Sequence, residues 1–264
     1  MIAHKKVGFE LEIGSDTSLK TLRNKMRRDL GITGLQIHVD YSVDTGKKYN
    51  GELVTPVWNY GHGCQNLRRM LKWLRKRNDV VTDNTTGLHV NLSFTKKVYN
   101  KSIDPSTVLL MTDDVKWLKK FNRTDNAYCM TPKGELSYCM KDLSRRRDVT
   151  IEQLKSYMYQ RVLIEQIEAD DGMEGESDMG QGHFFDKYFS INLLPLSMKK
   201  PYIEYRFIGG AGWHRENKEV DVFNAIDHIA ASLDKSISTR YEGVKTKYVR
   251  NMLTPAQKKR IKNK

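Results

Sequence analysis

The stretch VGFELEI, residues 7–13, alternates without a break: Val7, Phe9, Leu11 and Ile13 are apolar, and Glu10 and Glu12 fall between them. A period of two is the period of a β-strand, so the hydrophobes face one side of a sheet and both carboxylates face the other. Three further strand-like segments set a side chain able to bind a metal ion or a phosphate among apolar neighbours. They are DYSVDTGKKYNGELVTPV (40–57) with Asp40 and Glu52, TGLHVNLS (86–93) with His89, and YIEYRF (202–207) with Glu204 and Arg206. In the second of these, Leu88, Val90 and Leu92 alternate with His89, Asn91 and Ser93, which aims the imidazole at the face where Glu10 and Glu12 lie. Asp44 is a second acid in the loop that holds Asp40. Five acids, one histidine and one arginine from four strands make a set suited to divalent cations and a polyphosphate.

The order of these motifs, ExE, DYS with GELVTP, TGLHVNLS, KYFSINL (187–193) and IEYRF, resembles the amidoligase family, relatives of glutamine synthetase and glutamate-cysteine ligase. The resemblance spans about Val7 to Gly210, with no matching motif between Lys96 and Phe185. It implies ATP-dependent joining of a carboxylate to an amine, on an antiparallel sheet that cradles ATP and two or three magnesium ions. It also implies roles: Glu10, His89 and Glu204 for one metal ion, Glu12, Asp40 and Glu52 for another. Arg206 is the implied catalytic cation that steadies the migrating phosphoryl group, and Arg206, Asn91 and Lys187 are the implied nucleotide contacts. Asn192 shares the KYFSINL element with Lys187, and the glycines of GGAG (209–212) follow Arg206 closely enough to approach a phosphate. The middle of the chain, where an acceptor would be selected, matches nothing, so the carboxylate and amine stay open.

Between the strands, Ser18 to Leu30 reads as a short basic helix ended by Gly31, and Leu67, Met70, Leu71 and Leu74 recur at helical spacing beneath a basic outer face. Strands are expected near 35–41, 51–57, 86–95, 187–194 and 201–208. Asp104 before Pro105 predicts a helix start leading to Lys120, Thr150 with Gln153 a capping box for a helix over 151–168, and residues 219–234 a last amphipathic helix. The fold expected is α+β, an antiparallel sheet of the glutamine synthetase-like catalytic type with helices packed on one side. One domain covers 1–244, and a basic tail, 245–264, follows it.

The 264 residues carry a formal charge of +13, a field that attracts polyanions such as ATP or nucleic acid. Two other readings therefore stand beside the ligase: a metal-dependent nuclease, and a nucleic-acid-binding protein that uses the basic helix near Arg68 and the tail. A polyanionic or macromolecular acceptor is also open. No apolar run approaches the roughly 20 residues that cross a membrane, and the opening residues are strand-like, so the expected location is the cytoplasm, the host's if the chain is phage-encoded. Cys64, Cys129 and Cys139 lack metal-binding spacing and are expected to stay reduced. His4, His38, His62, His183, His214 and His228 fall in no motif and are expected to be structural or on the surface. The glycine-containing acidic stretch 168–178 is expected to be a ligand-dependent lid.

Overall fold

β1 (His4–Ser15) contains the alternating heptad and pairs with four other strands. The computed structural model describes residues 4–94, 108–109, 111–126, 129–132, 189–193, 195 and 200–238. Along one flank of β1 lies β3 (Tyr49–Val54), itself paired with the edge strand β2 (Gln36–His38); along the other lies β6 (Gly87–Phe94). Beyond β6 come β8 (Tyr202–Gly209) and β7 (Ile191–Asn192). Two short strands, β4 (Trp58–Asn59) and β5 (Val80–Val81), pair with the ends of β1. Every ladder between these strands is antiparallel, in the order β2-β3-β1-β6-β8-β7, and one isolated parallel bridge joins Met130 to Phe189.

The apolar half of each alternation is buried completely: Val7, Phe9, Leu11, Ile13, Leu53, Leu88, Val90, Leu92, Ile203 and Tyr205 are all inaccessible to water. Helices cover that face. α1 (Leu19–Leu30) starts at Ser18, whose hydroxyl accepts the Thr21 N–H, and stops at Gly31, which takes the left-handed φ of 66°. α2 (Tyr60–Arg75) buries Leu67, Met70, Leu71 and Leu74 and runs Gly63 over Val7 and Phe9. Its Arg68, Arg69 and Lys72 stay exposed. α3 (Asp114–Lys120) is capped by Asp113 and rests on β8, and α4 (Glu216–Ser238) touches both β1 and β8. Trp117 of α3 meets His228 of α4 at 5.8 Å between ring centroids, so the last two helices share a layer. Burying side chains of this size contributes roughly 1.5–3 kcal/mol each, which makes the one-sided apolar face the main stabilising element.

Several boundaries differ from the periodicity. The strand expected over 51–57 ends at Val54, although the Thr55 N–H still donates to the Phe9 carbonyl at 2.8 Å. There the Thr55 hydroxyl accepts the Phe9 N–H at 2.8 Å in place of a strand carbonyl, and pairing resumes at β4. The strand expected over 35–41 is only three residues long, and α4 extends beyond 219–234 at both ends. Within the described residues the helix expected to reach Lys120 is interrupted: Val108, Leu109 and Met111 are helical, with the Thr112 N–H donating to the Val108 carbonyl, and after Thr112 and Asp113 α3 opens at Asp114. Asp104, the helix over 151–168, the acidic stretch 168–178, Lys187, His183, Cys139 and the tail 245–264 lie outside the described residues. No helix of the described residues is long and apolar enough to cross a membrane.

His214 ties the helix layer to the sheet end. The Thr82 hydroxyl accepts the Gly212 N–H and lies 2.9 Å from His214 Nδ1, while Arg75 Nε donates to the His214 carbonyl. Burial, with Arg215 and Arg75 nearby, depresses the His214 pKa to about 4. The unfolded chain therefore binds a proton that the folded imidazole refuses, and stability present above the ordinary histidine value, about 6.5, is lost as pH falls from there through 4. Urea denaturation at pH 7 and pH 4.5 should show a loss of up to about 3 kcal/mol from this group, and His214→Gln should flatten that part of the profile.

Candidate functional site

The polar half of the alternation converges on one patch. The β1–β6 ladder sets Glu10 opposite His89, the β1–β3 ladder sets Glu12 opposite Glu52, and the β6–β8 ladder sets Asn91 opposite Glu204. His89, only 3% exposed, is the hub: Nδ1 lies 3.2 Å from both Glu10 Oε2 and Glu204 Oε1, and Nε2 lies 3.2 Å from Glu12 Oε1. Asn91 Nδ2 donates to Glu10 Oε1 at 2.8 Å, and Asn192 Nδ2 donates to Glu204 Oε2 at 2.7 Å. These two amides hold the carboxylates, and the second belongs to the KYFSINL element. Lys187, from the same element, lies outside the described residues.

Arg206 owes its place to an irregularity. Between the pairs Val90–Tyr205 and Leu88–Ile208, one residue of β6, His89, faces two of β8, Arg206 and Phe207. Such a bulge bends the strand and redirects a side chain. Arg206 is nearly buried, with Nη1 3.7 Å from Glu204 Oε1, and its Nε has no hydrogen-bond partner among the described residues.

Two groups of donor atoms are close enough to share an ion. The ligand atoms of Glu10, Glu52 and His89 lie within 4.8 Å of one another, and so do those of Glu12, Asp40 and Glu52. Octahedral oxygen sites with bonds of about 2.0–2.1 Å need ligand atoms about 3–4 Å apart, so the all-carboxylate group suits a hard divalent cation after small side-chain adjustment, and the group with His89 does so once its imidazole gives up a proton. Asp40, not Asp44, belongs to this set; Asp40 Oδ1 accepts from Ser42, and Asp44 accepts from Gly46 in its own turn.

Charge is crowded here. Burial first, then the charges of Glu10 and Glu12, push the Glu52 pKa up to about 7. Burial also opposes ionisation of Glu204, but the hydrogen bond and charge of His89, with Arg206 and Asn192, bring it down to about 2. Glu12 is lowered too, since His89, Arg123 and Arg206 outweigh its burial, and His89 is raised well above the usual imidazole value against its own burial, chiefly by Glu12.

Two participants escaped the sequence reading. His38, exposed as expected, also places Nδ1 3.1 Å from Glu52 Oε1; it lies opposite Glu52 in the β2–β3 ladder, a register that no local pattern announces. Arg123, from the segment after α3, is 3% exposed and donates through Nη1 to the carbonyls of Arg206 and Ile208. Cys129 lies against the same Arg206 carbonyl, and both described cysteines, Cys64 and Cys129, are free thiols as expected.

The polar face thus gathers acids from adjacent strands, a histidine between them and an arginine at a bulge. The chain belongs to the amidoligase enzymes: the family model Amidoligase_2 matches residues 3–224. A search of curated proteins finds no match.

Because Glu52 is ionised only against its neighbours, the folded state is penalised as pH rises from the usual carboxylate range through 7. At pH 8 without divalent cations, Glu52→Gln should stabilise the protein by about 1–3 kcal/mol in chemical denaturation. The same variant should gain less stability than the parent chain when a divalent cation is added. A destabilised Glu52→Gln in metal-free buffer would refute the crowding.

Proposed function

We propose that this amidoligase is an ATP-dependent carboxylate-amine ligase that works through an acyl phosphate with magnesium, on a sheet of the glutamine synthetase-like catalytic type. The observation that carries the reading is the convergence of Glu10, Glu12, Asp40, Glu52 and Glu204 around His89, beside Arg206, in a chain of this family. A carboxylate resists attack by an amine because resonance and negative charge make its carbon a poor electrophile. Transfer of the γ-phosphoryl group of ATP onto a carboxylate oxygen releases ADP and creates a good leaving group. The amine nitrogen then bonds to the acyl carbon, expelling inorganic phosphate and losing a proton.

The protein's part in such a sequence is charge neutralisation and positioning. Glu12, Asp40 and Glu52 would hold one magnesium ion, and Glu10 and His89, with Glu204 beside them, another. Magnesium bound there would screen the phosphate oxygens from the carboxylates. Arg206, buried and with Nε unpaired, has hydrogen-bonding capacity left for a phosphoryl oxygen. Asn91 Oδ1 is likewise buried without a partner among the described residues, which supports its assignment to nucleotide. The protein would work in the cytoplasm, where ATP and magnesium are supplied.

The test is magnesium-dependent phosphate release from ATP in the presence of pooled amino acids as carboxylates and amines. Arg206→Ala should cut turnover roughly a hundredfold to a thousandfold or more while ATP with magnesium still raises Tm, and lysine should restore little because it lacks the guanidinium fork. Unchanged turnover in a folded Arg206→Ala variant would remove this arginine from the chemistry. Nucleic-acid strand cleavage independent of ATP would replace the ligase with a nuclease.

A further inference from the structure

The outer faces of α1 and α2 carry charge that the site on the sheet does not use. α1 holds five basic residues and one acid, and the stretch from Arg68 to Arg77, the second half of α2 and the two residues after it, holds six basic residues and no acid. Both helices turn their apolar stripes to the sheet, Leu22 and Met26 from one and Leu67, Met70, Leu71 and Leu74 from the other, so the basic side chains point away from it. The Arg69 guanidinium donates to the Leu30 carbonyl at 2.6 Å and Trp73 Nε1 to Asp29 at 3.0 Å, which sets the basic last turn of α1 against α2 and makes one surface of the two. That surface lies on the far side of the sheet from His89 and its carboxylates, because α2 covers Val7 and Phe9 on the apolar face.

Between α2 and the start of α4 the surface sinks into a groove of about 460 Å³, where five cations from Arg68 to Lys76 face only Glu216 and Glu219. Arg75 already engages Glu219, Arg77 engages Asp79, and Arg28 engages Asp29. Among the described residues no carboxylate forms an ion pair with Arg68, Arg69, Lys72 or Lys76. Arg68, Lys72 and Lys76 recur every four residues, about 6 Å apart along the helix, and like charges at that spacing repel. Arg68 is also held in place: its guanidinium sits over the Phe223 ring, 4.0 Å from the centroid, with its N–H groups left for an anion.

The chemistry of the surface selects its partner. A protein interface draws its affinity from an apolar or aromatic centre with charge kept to the rim, and an interfacial membrane helix from an inserted apolar face. Of the exposed large hydrophobic side chains among the described residues, only Val220 belongs to a helix. Single-stranded nucleic acid needs bare rings on which bases stack, but the rings here lie under arginines, Phe223 beneath Arg68 and Trp73 beneath Arg77. What is left is a row of cations suited to a row of phosphates. We infer that the α1–α2 face binds the phosphate backbone of a nucleic-acid duplex without reading its sequence, and leaves the carboxylate cluster open on the other side of the sheet. Such binding is independent of the ligase chemistry.

The probe is a short fluorescent DNA duplex of arbitrary sequence, titrated with the full chain over a series of salt concentrations and read by anisotropy. The parent chain should bind with a Kd of roughly 1–100 μM near physiological salt, weakening linearly on a logarithmic plot as salt rises. A duplex of unrelated sequence should bind equally, and an RNA duplex run in parallel distinguishes the two sources of the same backbone. Arg68→Gln, Lys72→Gln and Lys76→Gln combined should weaken binding at least tenfold and reduce the salt slope by about 2–3, close to one for each lost phosphate contact. Lys116→Gln with Lys119→Gln, on α3, should keep the parent slope. Lys72→Glu with Lys76→Glu leaves the Phe223 stack intact, and it decides the matter if the triple variant does not fold. Parent-like affinity and slope in that charge-reversed variant, no binding to either duplex, or tighter binding of polyglutamate, of anionic vesicles or of a single strand than of the duplex would overturn the inference.

Discussion

The backbone ladder between β1 and β6, with Glu10 opposite His89, is the constraint on which the remainder of the site depends. Because side chains alternate, that single register aligns Val7, Phe9, Leu11 and Ile13 with Leu88, Val90 and Leu92 on the covered face, and the two acids with the imidazole on the other. A slip of one residue would turn the acids into the core and the hydrophobes into water. Apolar burial therefore enforces the geometry of the polar face. The site needs no separate scaffold, since the same hydrogen bonds that build the core also align the ligands.

What the core enforces is locally unfavourable. Five acids meet the buried imidazole of His89, the exposed one of His38 and two guanidiniums, and the crowding is visible in a Glu52 carboxyl pushed up to about 7. His89 relieves part of it by touching three carboxylates at once. A cluster assembled only for stability would replace some of these acids with amides, as Asn91 and Asn192 do at its rim. Retaining the charges is the pattern of a surface shaped for a charged ligand.

The sequence announced the parts of this arrangement that obey a period. ExE, TGLHVNLS and IEYRF each alternate cleanly, and Ser18 with Gly31 brackets α1 by side-chain chemistry that operates over three or four residues. Asp40 and Glu52 came from motif order, and the ladders bring them to the same patch. Three features were hidden because each depends on contacts remote in sequence. The extra residue of β8 at Arg206 and Phe207 is a mismatch between two strands, so neither strand reveals it alone. His38 meets Glu52 through strand pairing, and Arg123 reaches the sheet only because two glycines, 122 positions apart, become neighbours in space. The strand ends short of Pro56, and the Thr55 hydroxyl that takes the Phe9 N–H in place of a ladder carbonyl belongs to tertiary structure.

Asp40 differs from the other acids in where its backbone sits. Glu10 and Glu12 occupy a strand with partners on both flanks, whereas Asp40 follows β2, a three-residue strand at the margin of the sheet whose Gln36 and His38 face solvent. Opening the centre requires dismantling the whole sheet; opening the margin requires breaking a few hydrogen bonds. The central acids thus form a permanent half of the cluster, and the Asp40 segment acts as its clasp. A multivalent ion bridging Asp40 to Glu12 and Glu52 would fasten the outermost strand to the middle of the sheet, giving that margin a resistance to fraying and proteolysis that its own three residues do not provide.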